Sequence, residues 1–163
     1  YVPFLHHGRI PTGSVGTYVQ SFRFNGPVFA MLDHVAPPQL LAGLAVLVGL
    51  VTAAWLRRVT PEGSPELFSW PMAATLLCAP AVFPWYLLWL LPFLSSPSAL
   101  LMIVWTVSIF PTYIMWHRRT LGRPWGALPV WVMLLEYGCV AIAAAIIWLH
   151  RRREAGHAGT LSD

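Results

Sequence analysis

Arg23 and Asn25, in the stretch GTYVQSFRFNGPVFAML, bring a forked cation and an amide close together, with the Tyr18 hydroxyl upstream and a turn fixed by Gly26-Pro27 downstream. A guanidinium offers paired donors that match phosphate oxygens, so Arg23 is the leading candidate for a phosphate contact. The competing reading pairs it with lipid headgroups. A second group of residues, Trp85, Tyr86 and Trp89, sits in CAPAVFPWYLLWLLPF. Such rings serve either as a membrane-interface belt or as a stacking surface for a sugar or an isoprene unit.

Three further sites are weaker. Asp33-His34 has the residue types of a general base and its orienting partner, although its place between an apolar run and a long apolar segment suits a helix cap or an interface pair as well. His6-His7 lacks a further ligand at metal-binding spacing, so no metal site is assigned. Glu136 is the only acidic residue inside an apolar span. An ionisable group there is costly and defaults to a functional or paired role, with a structural pair the preferred reading.

The chain that positions these residues is 57% hydrophobic and 10% charged, with mean hydropathy +0.63. Its apolar runs are long rather than alternating, so it reads as an all-α, polytopic membrane protein. All ten basic residues are arginine, the net charge is +4, and no basic stripe interleaved with aromatics occurs. That pattern suits loops beside anionic headgroups and argues against nucleic acid. Cys78 and Cys139 lie in apolar segments, where a thiol behaves as a small hydrophobe. The opening YVPFL, with no initiator methionine, reads as the middle of something longer.

Three regions are expected. Residues 1–38, rich in Gly and Pro, form a loop segment with one short helix from about Ser14 to Phe24. Residues 39–149 form the membrane domain. Residues 150–163 are a polar tail, expected to be disordered from Glu154 to Asp163. Within the membrane domain, Gln39 to Leu56, Ala99 to Trp116 and Leu128 to Leu149 are spans, the first and last closed by arginines. Leu67 to Leu94 carries Pro80 and Pro84, each of which removes a backbone donor and clashes with the preceding turn. The segment is either one kinked helix or two short helices hinged at those prolines. Arginine counts tie between the two models, and the hinge is preferred, which makes about five spans.

The runs YVPFLHHG, GTYVQSFRFNGPVFAML and APAVFPWYLLWLLPFL, in that order, resemble the carboxyl-terminal part of bacterial polyprenol-phosphate-mannose-dependent mannosyltransferases, within the GT-C superfamily of membrane glycosyltransferases. The likeness covers Tyr1 to Phe93. Phe22 and Phe83 depart from it, standing where relatives often carry Trp and His. The resemblance implies a multi-pass enzyme of the bacterial plasma membrane. It would move a sugar, mannose in the first instance, from a polyprenyl-phosphate donor to a lipid or glycan acceptor at the extracytoplasmic face, without a cofactor. It also implies a catalytic base in a loop preceding Tyr1, with Asp33 a weak substitute, and hence no activity for this stretch alone. Tyr18, Arg23, Asn25, Trp85 and Tyr86 are then the substrate-binding residues, and the 1–38 loop and the hinge are extracytoplasmic. Two other functions compete. One is a transporter with a proline-broken helix gating a substrate path, the other a non-catalytic membrane scaffold.

Overall fold

The computed structural model describes residues 24–95, 99–123 and 128–160. The protein is helical, with 77% of residues in helices and no strands among those described. In chain order the helices are α1 (Pro27–Leu32), α2 (Pro38–Val59), α3 (Glu66–Leu77), α4 (Pro84–Leu87), α5 (Leu100–Ser108), α6 (Ile114–Thr120) and α7 (Val130–Thr160). Two 3-10 segments supplement them: Leu88–Phe93 continues α4, and Phe110–Tyr113 joins α5 to α6 around Pro111. The helix expected from Ser14 to Phe24 lies outside the described residues, except for Phe24.

Three helical stretches are long and apolar enough to cross a membrane: Pro38–Val59, Leu100–Thr120 and Val130–Glu154, with mean hydropathies of 2.0, 1.4 and 2.2. Their aliphatic side chains stay exposed, as Leu47, Leu50 and Val51 on α2 and Leu134, Ile142 and Ile146 on α7 show. A surface of that kind is stable where the surrounding medium is hydrocarbon.

Between the first two crossings the chain doubles back. Pro80 and Pro84 end α3 at Leu77 and start α4 at residue 84. The rings of Phe68 and Phe93 stack at 5.5 Å, so the two ends of this segment lie at one level. A single kinked helix would separate those rings by about 37 Å at 1.5 Å per residue. α3 is 12 residues long, or about 18 Å, well short of a hydrocarbon core of about 30 Å. Its interior proline, Pro71, is accommodated beside Thr75, whose hydroxyl donates to the Pro71 carbonyl at 2.9 Å. Gly49 lets α2 approach there, because a Cβ at that position would overlap the Thr75 hydroxyl and come within 3.2 Å of the Pro71 carbonyl.

Two apolar clusters fix the order of the bundle. Ala73, Val82, Leu87, Leu90, Met102, Trp105 and Ile109 form one. Phe24, Ala81, Phe83, Met115, Leu128 and Val132 form the other. From one cluster to the other the chain advances from Ala73 to Phe83 and from Met102 to Met115, so α3 and α5 run parallel, while α2 and α7 run against them. Arg57-Arg58 and Arg151 to Arg153 therefore close the same end of the bundle, and Arg118, Arg119 and Arg123 lie at the other. The tail from Glu154 was expected to be disordered. Instead α7 continues through the arginines to Thr160. Arg152 lies over the Trp148 ring at 3.9 Å and His150 is 3.8 Å from Glu154 one turn on, contacts that favour the helical state.

Candidate functional site

The proline break is closed by another part of the chain. Cys78 to Phe83 cannot continue a helix, and its freed backbone groups need partners wherever water is scarce. Phe24 supplies two: its N–H donates to the Pro80 carbonyl at 3.1 Å, and its own carbonyl accepts from the Val82 N–H at 2.7 Å. The result is an isolated parallel bridge between Phe24 and Ala81.

The strap of residues 24–26 has a local reason for each residue type. Phe24 provides a ring, buried and stacked on Phe83 with centroids 4.7 Å apart. Asn25 sits at φ 56°, the left-handed region that asparagine tolerates better than most residues. Gly26 lies so close to the hinge that a Cβ would overlap the Ala79 carbonyl and stand 3.0 Å from that of Pro80.

From Phe83 an aromatic wall extends outward. Trp85 stacks on Phe83 at 4.7 Å and 5°. Tyr86 meets Phe83 edge-on at 5.5 Å, and Trp116 meets Trp85 edge-on at 5.4 Å. Tyr113, one turn before Trp116 on the same side of the helix, is 5.3 Å from it. Trp85 remains 40% exposed. On its other side Tyr86, with Trp89, borders an apolar groove of about 570 Å³ whose far walls are Gly49 and Ala53 of α2 and Pro71 and Thr75 of α3. A planar aromatic surface next to an open hydrocarbon groove can receive a ring and a chain of one ligand.

Behind the wall is a buried polar cluster. Glu136, about 9 Å along α7 from its start, has no exposed surface. Its two carboxylate oxygens each accept a hydrogen bond of 2.7 Å, one from Trp105 Nε1 and one from Asn25 Nδ2. The Tyr137 hydroxyl donates to the Asn25 carbonyl at 2.8 Å. Glu136 is thus paired, as preferred from sequence, with an amide and an indole as its partners.

Of the residues singled out from sequence, Trp85 and Tyr86 stand side by side in the wall, and Asn25 lies directly behind it with its amide nitrogen engaged by Glu136. Tyr18, Arg23, His6 and His7 lie outside the described residues. Asp33 and His34 follow α1, with the shielded Asp33 carboxylate 3.5 Å from a largely exposed His34. Trp116 and Tyr113 were not anticipated, although their three-residue spacing before a run of basic residues was a visible signal. Trp105 and Tyr137 carried none.

No family model, curated protein or solved structure matches the chain. Among the described residues no three His, Cys, Asp or Glu side chains group as metal ligands.

Proposed function

We propose that this chain is the carboxyl-terminal portion of an integral membrane glycosyltransferase that takes a sugar, mannose in the first instance, from a polyprenyl-phosphate donor. The observation that carries the reading is the Phe24–Ala81 bridge. It joins two of the three stretches on which the resemblance to polyprenol-phosphate-mannose-dependent transferases rests, far apart in sequence, into one wall. A glycosyl phosphate presents an anion, a pyranose with an apolar face and an isoprenoid chain. Arg23, adjacent in sequence to Phe24, would meet the phosphate. Trp85, with Tyr86 and Trp116 beside it, would stack the sugar. The groove bordered by Tyr86 and Trp89 would take the first isoprene units.

In this reading the wall faces the extracytoplasmic side of a bacterial plasma membrane, and the end of the bundle carrying Arg57-Arg58 and Arg151 to Arg153 is cytoplasmic. The short helix α3, and α4 with its 3-10 continuation, then complete a five-pass topology although neither matches the bilayer's thickness. The catalytic base would come from a loop preceding Tyr1. A transport reading would use the proline break as a wet path, and the filling of that break by Phe24 lends it no support.

The test is transfer of radiolabelled mannose from polyprenyl-phosphate mannose by the intact protein in proteoliposomes. Transfer that Trp85→Ala weakens through a higher donor KM supports the proposal. Transfer indifferent to Trp85→Ala, or none with any polyprenyl-phosphate sugar, contradicts it. The chain from Tyr1 to Asp163 alone is expected to be inactive, and turnover by it would promote Asp33 to leading base.

A further inference from the structure

Glu136 is the one acidic residue within the apolar length of the three membrane-crossing helices. Its surroundings suit a carboxylate in particular. Two N–H donors converge on it from different elements, Trp105 from α5 and Asn25 from the strap, each at 2.7 Å. A carboxylate is acceptor-only and can receive both. The next residue, Tyr137, holds the backbone carbonyl of the same asparagine. Consecutive residues of α7 therefore grip both the side chain and the main chain of Asn25.

That grip leads to the wall by an unbroken series of contacts. Asn25 is joined to Phe24, which makes two backbone hydrogen bonds to the hinge and stacks on Phe83 at 4.7 Å. Phe83 in turn stacks on Trp85 at 4.7 Å. No other backbone hydrogen bond among the described residues ties the strap to the hinge. With the acceptor on α7 removed, the Asn25 amide would be left buried without a partner, a state costly enough for the strap to leave instead.

We propose that Glu136 is a positioning residue for the aromatic wall: through Asn25 it seats the strap on the proline hinge and thereby fixes the Phe83–Trp85 stack, without itself touching the ligand. The consequence for transfer kinetics rests on the glycosyltransferase reading. The positioning does not, and the test separates the two.

The reporter is a cysteine at Ala81, 2% exposed beneath Phe24, in the full-length protein carrying Cys78→Ser and Cys139→Ser, reconstituted in liposomes. Its rate of reaction with a small cationic methanethiosulfonate is measured beside that of a control cysteine at Thr120. Glu136→Leu is expected to speed the Ala81→Cys reaction about tenfold, the equivalent of one lost hydrogen bond to a buried charge, and to leave the control unchanged. Glu136→Gln should stay within about twofold, because its amide oxygen still accepts from Trp105 and its amide group can meet Asn25 turned over. Asn25→Ala should reproduce Glu136→Leu, and the double variant should be no faster than either single one, since both remove the same bond. Should Glu136→Leu fail to insert, Asn25→Ala against Glu136→Gln carries the same comparison.

In the transfer assay, Glu136→Leu should raise the KM for polyprenyl-phosphate mannose more than it lowers kcat, with Glu136→Gln restoring it. An Ala81→Cys rate unchanged by Asn25→Ala overturns the proposal, as does equal disruption by Gln and Leu at position 136. If the thiol pattern holds and no sugar is transferred, the glycosyltransferase reading fails and the positioning role stands.

Discussion

The two ends of the bundle are built on different principles. At the end closed by Arg57-Arg58 and Arg151 to Arg153, α2 and α7 are long and regular with many apolar side chains exposed, and α2 meets its neighbours along a narrow strip that includes Ala45, Gly49 and Leu56. At the other end the helices are short or interrupted, the backbone leaves helical geometry at residues 78–83, and the contacts are rings and buried polar groups. Regular helices satisfy their own backbone and need little from the rest of the chain. The irregular end must be completed by distant pieces, and residues 24–26 do this. Binding surfaces form more readily where backbone and rings converge from several elements than along a smooth helix.

The contrast predicts graded costs of substitution. The largest is expected at Gly26→Ala, where a Cβ would overlap the Ala79 carbonyl. Backbone cannot move aside as a side chain can, so about 3 kcal/mol of stability should be lost, seen as a lower Tm in detergent. Arg23→Ala should cost about 1.5 to 3 kcal/mol, appearing as weaker donor binding with stability intact. Arg23→Lys should recover part of it, because a point charge lacks the guanidinium fork. Titration of the intact protein with polyprenyl-phosphate mannose measures both, and unchanged binding in Arg23→Ala would remove the phosphate contact from the site.

In the regular half, Gly49→Ala meets the Thr75 hydroxyl and, at 3.2 Å, the Pro71 carbonyl. The hydroxyl can rotate and α2 can shift slightly, so about 1 kcal/mol is expected, read as a smaller fall in Tm. Gly43→Ala and Gly138→Ala have nothing within 4 Å of the added methyl. Helix propensity then dominates, and each should be neutral or stabilising by up to about 1 kcal/mol. A Gly26→Ala protein as stable as Gly43→Ala would erase the distinction between the two ends.

Much of the regular half was legible in the sequence. Apolar runs marked the starts of the three long helical stretches to within a few residues and arginines marked the end of α2, whereas α7 runs past Leu149 to Thr160. Pro80 and Pro84 announced the break because proline has no N–H to give, while their spacing left a kinked helix and a hinged pair both open, with the hinge preferred. The arginine counts, tied between the two arrangements, said nothing of the parallel course of α3 and α5, which tertiary packing alone determines. The irregular half was legible only in its residue types. A bridge of one residue pair has no periodicity, so no spacing paired FNG with APAV, although the resemblance put Asn25, Trp85 and Tyr86 in one substrate site, and the partners of Glu136 lie 111 and 31 residues away. The tail misled because polar composition suggested disorder from Glu154, whereas α7 carries on to Thr160.

The account depends on the strap lying against the proline hinge, and a disulfide measures that contact directly. Cysteines at Phe24 and Ala81, in the Cys78→Ser and Cys139→Ser background, would occupy positions paired by a backbone bridge, and a disulfide requires Cα atoms about 4.4 to 6.8 Å apart. Mild oxidation of the intact protein in its membrane should join them rapidly and nearly completely, while a Phe24–Gly43 cysteine pair stays reduced. A Phe24–Ala81 pair that remains reduced while the protein keeps its fold would contradict the account.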